Sequence, residues 1–394
     1  MVFSRLCKWM VNATPIFAVQ NQNKPSTMKK NLFTIAGLAL LATGFASCKK
    51  DNSEGTKTPT YTIPATYNFS NVDFSDQTTR FSMSAEIEAL MKTGTTSGTV
   101  VSAQKLKDML ANVNSPFTAA ANNAATVNLK SWFPAQAETD MEAYMDSLEV
   151  ASNSTQAAAN GVAGVGASAA DATKKYLLSA NGINYAQFYS KTLMGVITYQ
   201  IVNNAFSDAT MGSGVDNNTV VAGKGTAMEH NWDLAFGLWM VPVDFPTNKT
   251  GVKYWGSYSS QVDSGIHCNN ALMTAYLTGR AAISNKDMAT RDAQITIICE
   301  TYEKMQAASA IHELNAVKLI LASDLTKAVS TISESMAFVA SMRYNPKKKI
   351  SDAQITRVLG YYGTNLYNIS TADINNIINT LSSIYGFDSV KNII

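Results

Sequence analysis

The run Met228-Glu229-His230-Asn231-Trp232-Asp233-Leu234-Ala235-Phe236-Gly237-Leu238-Trp239 gathers the residue types best suited to chemistry. At about 100° per residue, Met228, Trp232, Ala235, Phe236 and Trp239 share one face of a helix. His230, Asp233 and Gly237 fall on the opposite face, with Glu229 between them. A His and a carboxylate at i, i+3 can reach one ion or one proton path. Gly237 beside them predicts close approach by a neighbouring helix. The same polar residues also fit a solvated face, or an acidic first turn that complements the helix dipole.

Arg280 is the second chemically marked residue. Leu272, Tyr276 and Ile283 define an apolar face, and Arg280 projects within it. A guanidinium keeps its charge, so burial there predicts a carboxylate partner: Asp233, Glu229 or Asp287. The alternative is a packed stem with a solvated head.

Spacing excludes several other chemistries. His312-Glu313 opens like a zinc-protease helix, but Ala316 stands where the second His belongs. His312 shares a face with Met305, Ala308 and Leu319, which predicts a hydrogen-bonded core residue. His267 reads as a cap or loop. Gly223-Lys224-Gly225-Thr226 resembles a phosphate loop only in part, with Asn218 at the first Gly position and Gly after the Lys. No CxxC occurs, which removes thioredoxin-like chemistry and cysteine zinc sites. Cys268 and Cys299 fit either one disulfide or two buried thiols.

The elements that must position these residues read as helices. Candidates span 80–92, 102–112, 136–151, 184–206, 226–240, 269–284, 288–322, 324–343, 351–362 and 371–384. Ser102, Ser351 and Thr371 occupy plausible N-cap positions, and Asn345-Pro346 stops a helix. Ser152 to Ala172 is rich in Ala, Ser, Asn and Gly and predicts a flexible loop. No sustained apolar/polar alternation and no 20–50-residue repeat is visible, so the class is all-α.

The front of the chain is a leader. Met28-Lys29-Lys30 and then Leu32 to Ala46 make a charged start and an apolar run shorter than the ~20 residues of a spanning helix. Phe45-Ala46-Ser47-Cys48 follows, and is similar to the lipobox that precedes a lipidated Cys. Residues 1–27 look like an upstream-start artefact and 28–47 like the signal. Residues 48–66 form a polar tether; Lys49 directly after Cys48 favours the outer membrane, with the cell surface as a further option. The remaining 67–394 form one helical domain with candidate sub-bundles 67–210 and 220–394.

Composition agrees. Of 394 residues, 46% are hydrophobic, enough for a sizeable core, and only 15% are charged. The net charge of +2 excludes a large basic nucleic-acid face. Removing Arg5, Lys8, Lys24, Lys29 and Lys30 with the leader leaves 26 basic and 29 acidic residues, net −3.

From about Tyr61 to Phe387 the chain resembles bacterial lipoproteins grouped as domain of unknown function 4856. The resemblance runs through Ala65-Thr66-Tyr67-Asn68-Phe69, Gln104-Lys105-Leu106-Lys107-Asp108-Met109 and Glu229 to Gly237. It continues in Gly279-Arg280-Ala281-Ala282-Ile283 and Arg343-Tyr344-Asn345-Pro346-Lys347-Lys348. That family is similar in turn to the imelysins, helical proteins linked to iron uptake and sometimes called peptidases. Their Gly-x-His-x-x-Glu signature falls on Met228, His230 and Asp233, with Met for Gly and Asp for Glu.

The resemblance implies an imelysin-like helical bundle, lipid-anchored through Cys48 and working with an uptake receptor. Its pocket of Glu229, His230, Asp233 and Arg280 would bind an iron species, another divalent metal or an iron-carrying ligand. A metal-dependent peptidase using the same residues is the rival, with Asp233 or Glu229 as general base. A surface lipoprotein whose polar residues only pin helices is the third reading.

Overall fold

The computed structural model describes residues 59–394; the expected leader, Cys48 with its expected lipidation, and most of the expected tether lie outside the described residues. The first four helices are α1 (Ser75–Thr93), α2 (Ala103–Ala111), α3 (Ala120–Ala124) and α4 (Ala135–Ser152). Two short strands follow, β1 (Gly164–Ala167) and β2 (Lys175–Leu178), then α5 (Tyr185–Tyr199), a π-helical segment Gln200–Ala205 and α6 (Asp208–Met211). The second half comprises α7 (Ala227–Gly237), α8 (Tyr254–Ile266), α9 (Cys268–Ser284), α10 (Met288–Ile320), α11 (Leu325–Ser341), α12 (Asp352–Tyr362) and α13 (Thr371–Tyr385). The all-α class expected from helix-period patterning is what the fold shows.

The centre of the bundle is α10, whose 33 residues are flanked by α9, α11, α8 and α13. Its buried apolar residues recur at helical spacing, with Ile298, Tyr302, Met305, Ile311 and Leu314 all enclosed. Helix α5 packs on α4 and on α11, and residues 61–394 form one unit. No helix among the described residues is long and apolar enough to cross a membrane.

Local signals explain most element boundaries. Ser102 and Ser351 are N-caps, their hydroxyls accepting from Lys105 N and Gln354 N at 3.2 Å. For α13 the cap is Ser370 rather than Thr371. The Ser370 hydroxyl accepts from Asp373 N while the Asp373 carboxylate accepts from Ser370 N, a reciprocal box that fixes the start one residue earlier.

The segment read as a flexible loop is partly a hairpin, with Gly164↔Leu178 to Ala167↔Lys175 in antiparallel register. Its pairing half lies beyond residue 172, so the Ala- and Gly-rich half alone carried no alternation. Helix α8 also escaped expectation, because its Gly and Ser residues obscure the buried trio Trp255, Tyr258 and Val262. Leu319, expected on the core face of α10, is 84% exposed, while Val317 in the same turn takes the buried side.

Candidate functional site

Helix α7 begins with a reciprocal cap. The Thr226 hydroxyl accepts from Glu229 N at 3.2 Å, and Glu229 Oε2 accepts from Thr226 N at 2.9 Å. One oxygen of Glu229 thus satisfies the helix start while Oε1 faces α9. The apolar face behaves as expected, with Met228, Trp232, Ala235, Phe236 and Trp239 all buried.

The opposite face does not behave as a solvated surface. Asp233 is completely buried, because the chain segment before α1 covers that side of the helix. The Tyr67 ring stacks on Phe236 with centroids 3.7 Å apart, and its hydroxyl donates to Asp233 Oδ1 at 2.7 Å. Phe74 presses on Gly237, where a Cβ would fall 2.6 Å from the Phe74 Cβ. The close approach predicted at Gly237 is therefore made by the residue that starts α1.

Arg280 arrives from α9 with 1% of its surface exposed. Its Nε donates to Asp233 Oδ1 at 2.9 Å, and its Nη1 donates to Glu229 Oε1 and the Ser284 hydroxyl, both at 2.7 Å. The Ser284 hydroxyl in turn donates to Glu229 Oε1 at 2.6 Å. The guanidinium also lies 5.2 Å from the Phe69 ring centroid. The carboxylate partner required by its burial is supplied twice, by Glu229 and Asp233. Asp287, the third candidate, instead caps α10 by accepting from Thr290 N at 3.0 Å.

Burial pushes the Asp233 carboxyl up to about 6, against the opposing pull of Arg280 and the Tyr67 hydrogen bond. Burial acts upward on Glu229 as well, but Ser284, the Thr226 N–H and Arg280 together hold it below the ordinary carboxylate value. Burial likewise raises the Tyr67 hydroxyl far above its ordinary value, with the Asp233 charge adding to it.

His230 stands apart from this cluster. It is half-buried, and its pKa is lowered by burial and then by Lys224, while Asp73 and Asp76 act in the other direction. The expected His230–Asp233 partnership at i, i+3 is therefore not formed; Asp233 turns to Arg280 and Tyr67. Asp233 Oδ2 and His230 Nδ1 are buried without a protein hydrogen-bond partner.

Among the described residues no three His, Cys, Asp or Glu side chains come together as metal ligands. The inner oxygens of Glu229 and Asp233 are held by a guanidinium, so a bare iron or other divalent ion does not fit between them. His312 is half-buried beside Asn315 and Ile394, and His267 joins α8 to α9 with a left-handed backbone. Cys268 and Cys299 are free thiols, and burial raises both to about 12.

A second buried ionic group escaped the sequence reading. The Tyr258 hydroxyl lies 2.8 Å from Glu313 Oε1 and 2.9 Å from Glu334 Oε2, and Lys191 Nζ pairs with the same Glu334 oxygen at 2.9 Å. A hydroxyl carries one hydrogen, so two short contacts to two carboxylates require one further proton between them. Burial and the Glu334 charge accordingly raise Glu313 to about 7. The available signal was of the kind Arg280 gave: Lys191 is a cation inside the apolar run of α5.

The fold and site thus define an all-α protein whose helices α7 and α9 are joined by a buried, two-carboxylate arginine cluster. Residues 64–388 match the family model described as Domain of unknown function (DUF4856), and the chain belongs to that family. Neither a curated protein nor a solved structure matches it.

Proposed function

We propose that this chain is a non-enzymatic lipoprotein of the outer membrane, tethered through Cys48, that serves uptake by holding an iron-carrying ligand rather than bare metal. One observation carries the choice: Arg280 already occupies the inner oxygens of both Glu229 and Asp233. A metal-dependent peptidase needs an open coordination position beside a free base, and a guanidinium closes this carboxylate pair. The link to iron rests on the similarity of His230 and Asp233 to the imelysin signature. The half-buried His230 is the residue of that signature a ligand can reach, while the unbonded Asp233 Oδ2 lies enclosed. A membrane anchor and an uptake receptor follow from the same reading.

The purely structural lipoprotein is favoured by one feature, that Glu229, Asp233 and Arg280 spend their side-chain bonds on one another and on α7, α9 and Tyr67. Protein purified without chelator should be titrated with ferric citrate, ferrous ion and zinc while tryptophan fluorescence is followed. The proposal expects a response to ferric citrate alone, weakened in His230→Ala. Stoichiometric zinc or ferrous binding would restore the metal-site reading, and silence with all three would leave the structural one. Cys48→Ser should release the protein from membranes or block its processing; unchanged detergent partitioning would remove the anchor.

A further inference from the structure

A cavity of about 260 Å³ opens between the π-helical segment, α10 and the turn after α11, lined by Val202, Phe206, Ile295, Cys299, Glu303 and Lys347. It shares no residue with the Arg280 cluster. Its volume lies below the roughly 300–1,000 Å³ of drug-sized pockets, so an occupant must be small.

The floor carries a fixed anion. Glu303 is 8% exposed, and its Oε1 accepts from Lys349 N at 2.7 Å, Ile350 N at 3.2 Å and the Tyr385 hydroxyl at 2.7 Å. Among the described residues no group bonds Oε2. Those three bonds lock the carboxylate in place, which leaves the second oxygen pre-oriented for a donor from outside. The rim carries a cation. Lys347 is exposed, and its Nζ donates to the Val202 carbonyl at 3.1 Å, which uses one of its three hydrogens. The acceptor belongs to the π-helical segment, a distortion that recurs at functional sites.

Lys347 forms no ion pair with Glu303 or with Glu300; the latter pairs with Lys304 at 3.6 Å. Glu303 and Lys347 therefore share one small cavity without neutralising each other, with the exposed Glu300 as a third charge and Thr296 and Asn345 as polar lining beside the apolar residues. Arg343 to Lys348, one of the stretches quoted above, supplies the rim lysine.

We propose that this cavity binds a small zwitterion of the α-amino-acid class. The ammonium sits on Glu303 Oε2, the carboxylate on Lys347 Nζ, and the apolar side chain on Val202, Phe206 and Ile295. Titration calorimetry with leucine should give saturable binding. Leucinamide, lacking the carboxylate, and 4-methylpentanoic acid, lacking the ammonium, should each bind at least roughly tenfold more weakly, about 1.4 kcal/mol. Glu303→Gln and Lys347→Met should weaken leucine by a similar factor.

Glu303 also supports the backbone at Lys349 and Ile350, so Glu303→Gln is judged only if its circular dichroism matches the parent. Cys299→Phe fills the cavity from a half-buried position and supplies the independent arm, with loss of binding expected in a folded protein. Equal binding of leucine and its two analogues would overturn the proposal. So would retained leucine binding in Cys299→Phe, or no heat with leucine at millimolar concentration.

Discussion

Gly279 lies flat against the Trp232 indole, so close that a Cβ there would fall 2.1 Å from the ring. The next residue on each helix completes the site: Arg280 follows Gly279, Asp233 follows Trp232, and these two form the buried ion pair. Packing of the first pair thus sets the separation at which the second can bond.

Gly279→Ala should therefore destabilise the fold. Alanine favours a helix by about 1 kcal/mol over glycine, but the indole has nowhere to move, being buried and donating to the Tyr276 carbonyl at 3.0 Å. Overpacking should win, with a net loss of roughly 1–3 kcal/mol in urea denaturation. A variant as stable as the parent would show that α7 and α9 can separate freely.

Removing the cation should cost more than removing a contact. Arg280→Leu leaves Glu229 and Asp233 facing each other without their counter-charge, a loss of about 3–5 kcal/mol. Adding Asp233→Asn should recover part of it, since an amide needs no counter-ion. Denaturation midpoints of the single and double variants decide this; no recovery in the double variant would mean that Asp233 is not the strained partner.

Tyr67→Phe separates the two roles of that residue. The ring stack on Phe236 survives, and only the hydrogen bond to Asp233 is lost. A cost of about 1–2 kcal/mol is expected, with the Asp233 carboxyl moving further up as it loses a donor. Unchanged stability would mean that solvent replaces the hydroxyl.

Acidification should favour the folded state through two buried carboxyls, opposed nearer pH 6 by His230 and His312, whose lowered values favour the neutral form. Asp233 and Glu313 both have raised folded-state values, about 6 and about 7, above their ordinary 3.8 and 4.5. The folded state therefore binds their protons more tightly than the unfolded chain does. Stability from these groups is fully present below the ordinary values and is lost as pH rises through the folded ones. The contribution of these groups to Tm should fall between about pH 4 and pH 7. Glu313→Gln, whose amide can donate to Tyr258 at any pH, should flatten the upper part of that profile. The groups facing Glu313 are Glu334, Lys191 and Tyr258, so a steeper profile in the variant would assign the effect elsewhere.

Most of the longer helices, α8 excepted, and the caps Ser102 and Ser351 are legible in the sequence because apolar residues at helical spacing mark faces without any tertiary knowledge. Arg280 was legible for the same reason, since a permanent charge inside an apolar face demands a partner. What sequence could not supply was the cover. Asp233 fitted either a site or a solvated face, because a helical wheel ranks the residues of one helix and says nothing of Tyr67, 166 positions away. Glu313 was overshadowed by His312, and its pairing with Tyr258 and Glu334 joins three helices that periodicity treats separately. The zwitterion cavity depends on a π-helical distortion after α5, where the pattern reads as uninterrupted helix.

Tyr61 and Tyr67 also fix how load enters the protein. The Tyr61 hydroxyl donates to Asp287, Tyr67 N donates to the Val243 carbonyl at 2.8 Å, and the Tyr67 ring is clamped on Phe236. Tension drawn through the polypeptide from its N-terminal side meets these attachments before it reaches α1, the first helix in the described chain. Freeing Tyr67 would take both its ring from Phe236 and its hydroxyl from Asp233, so the cover of the buried cluster hangs on this one strap.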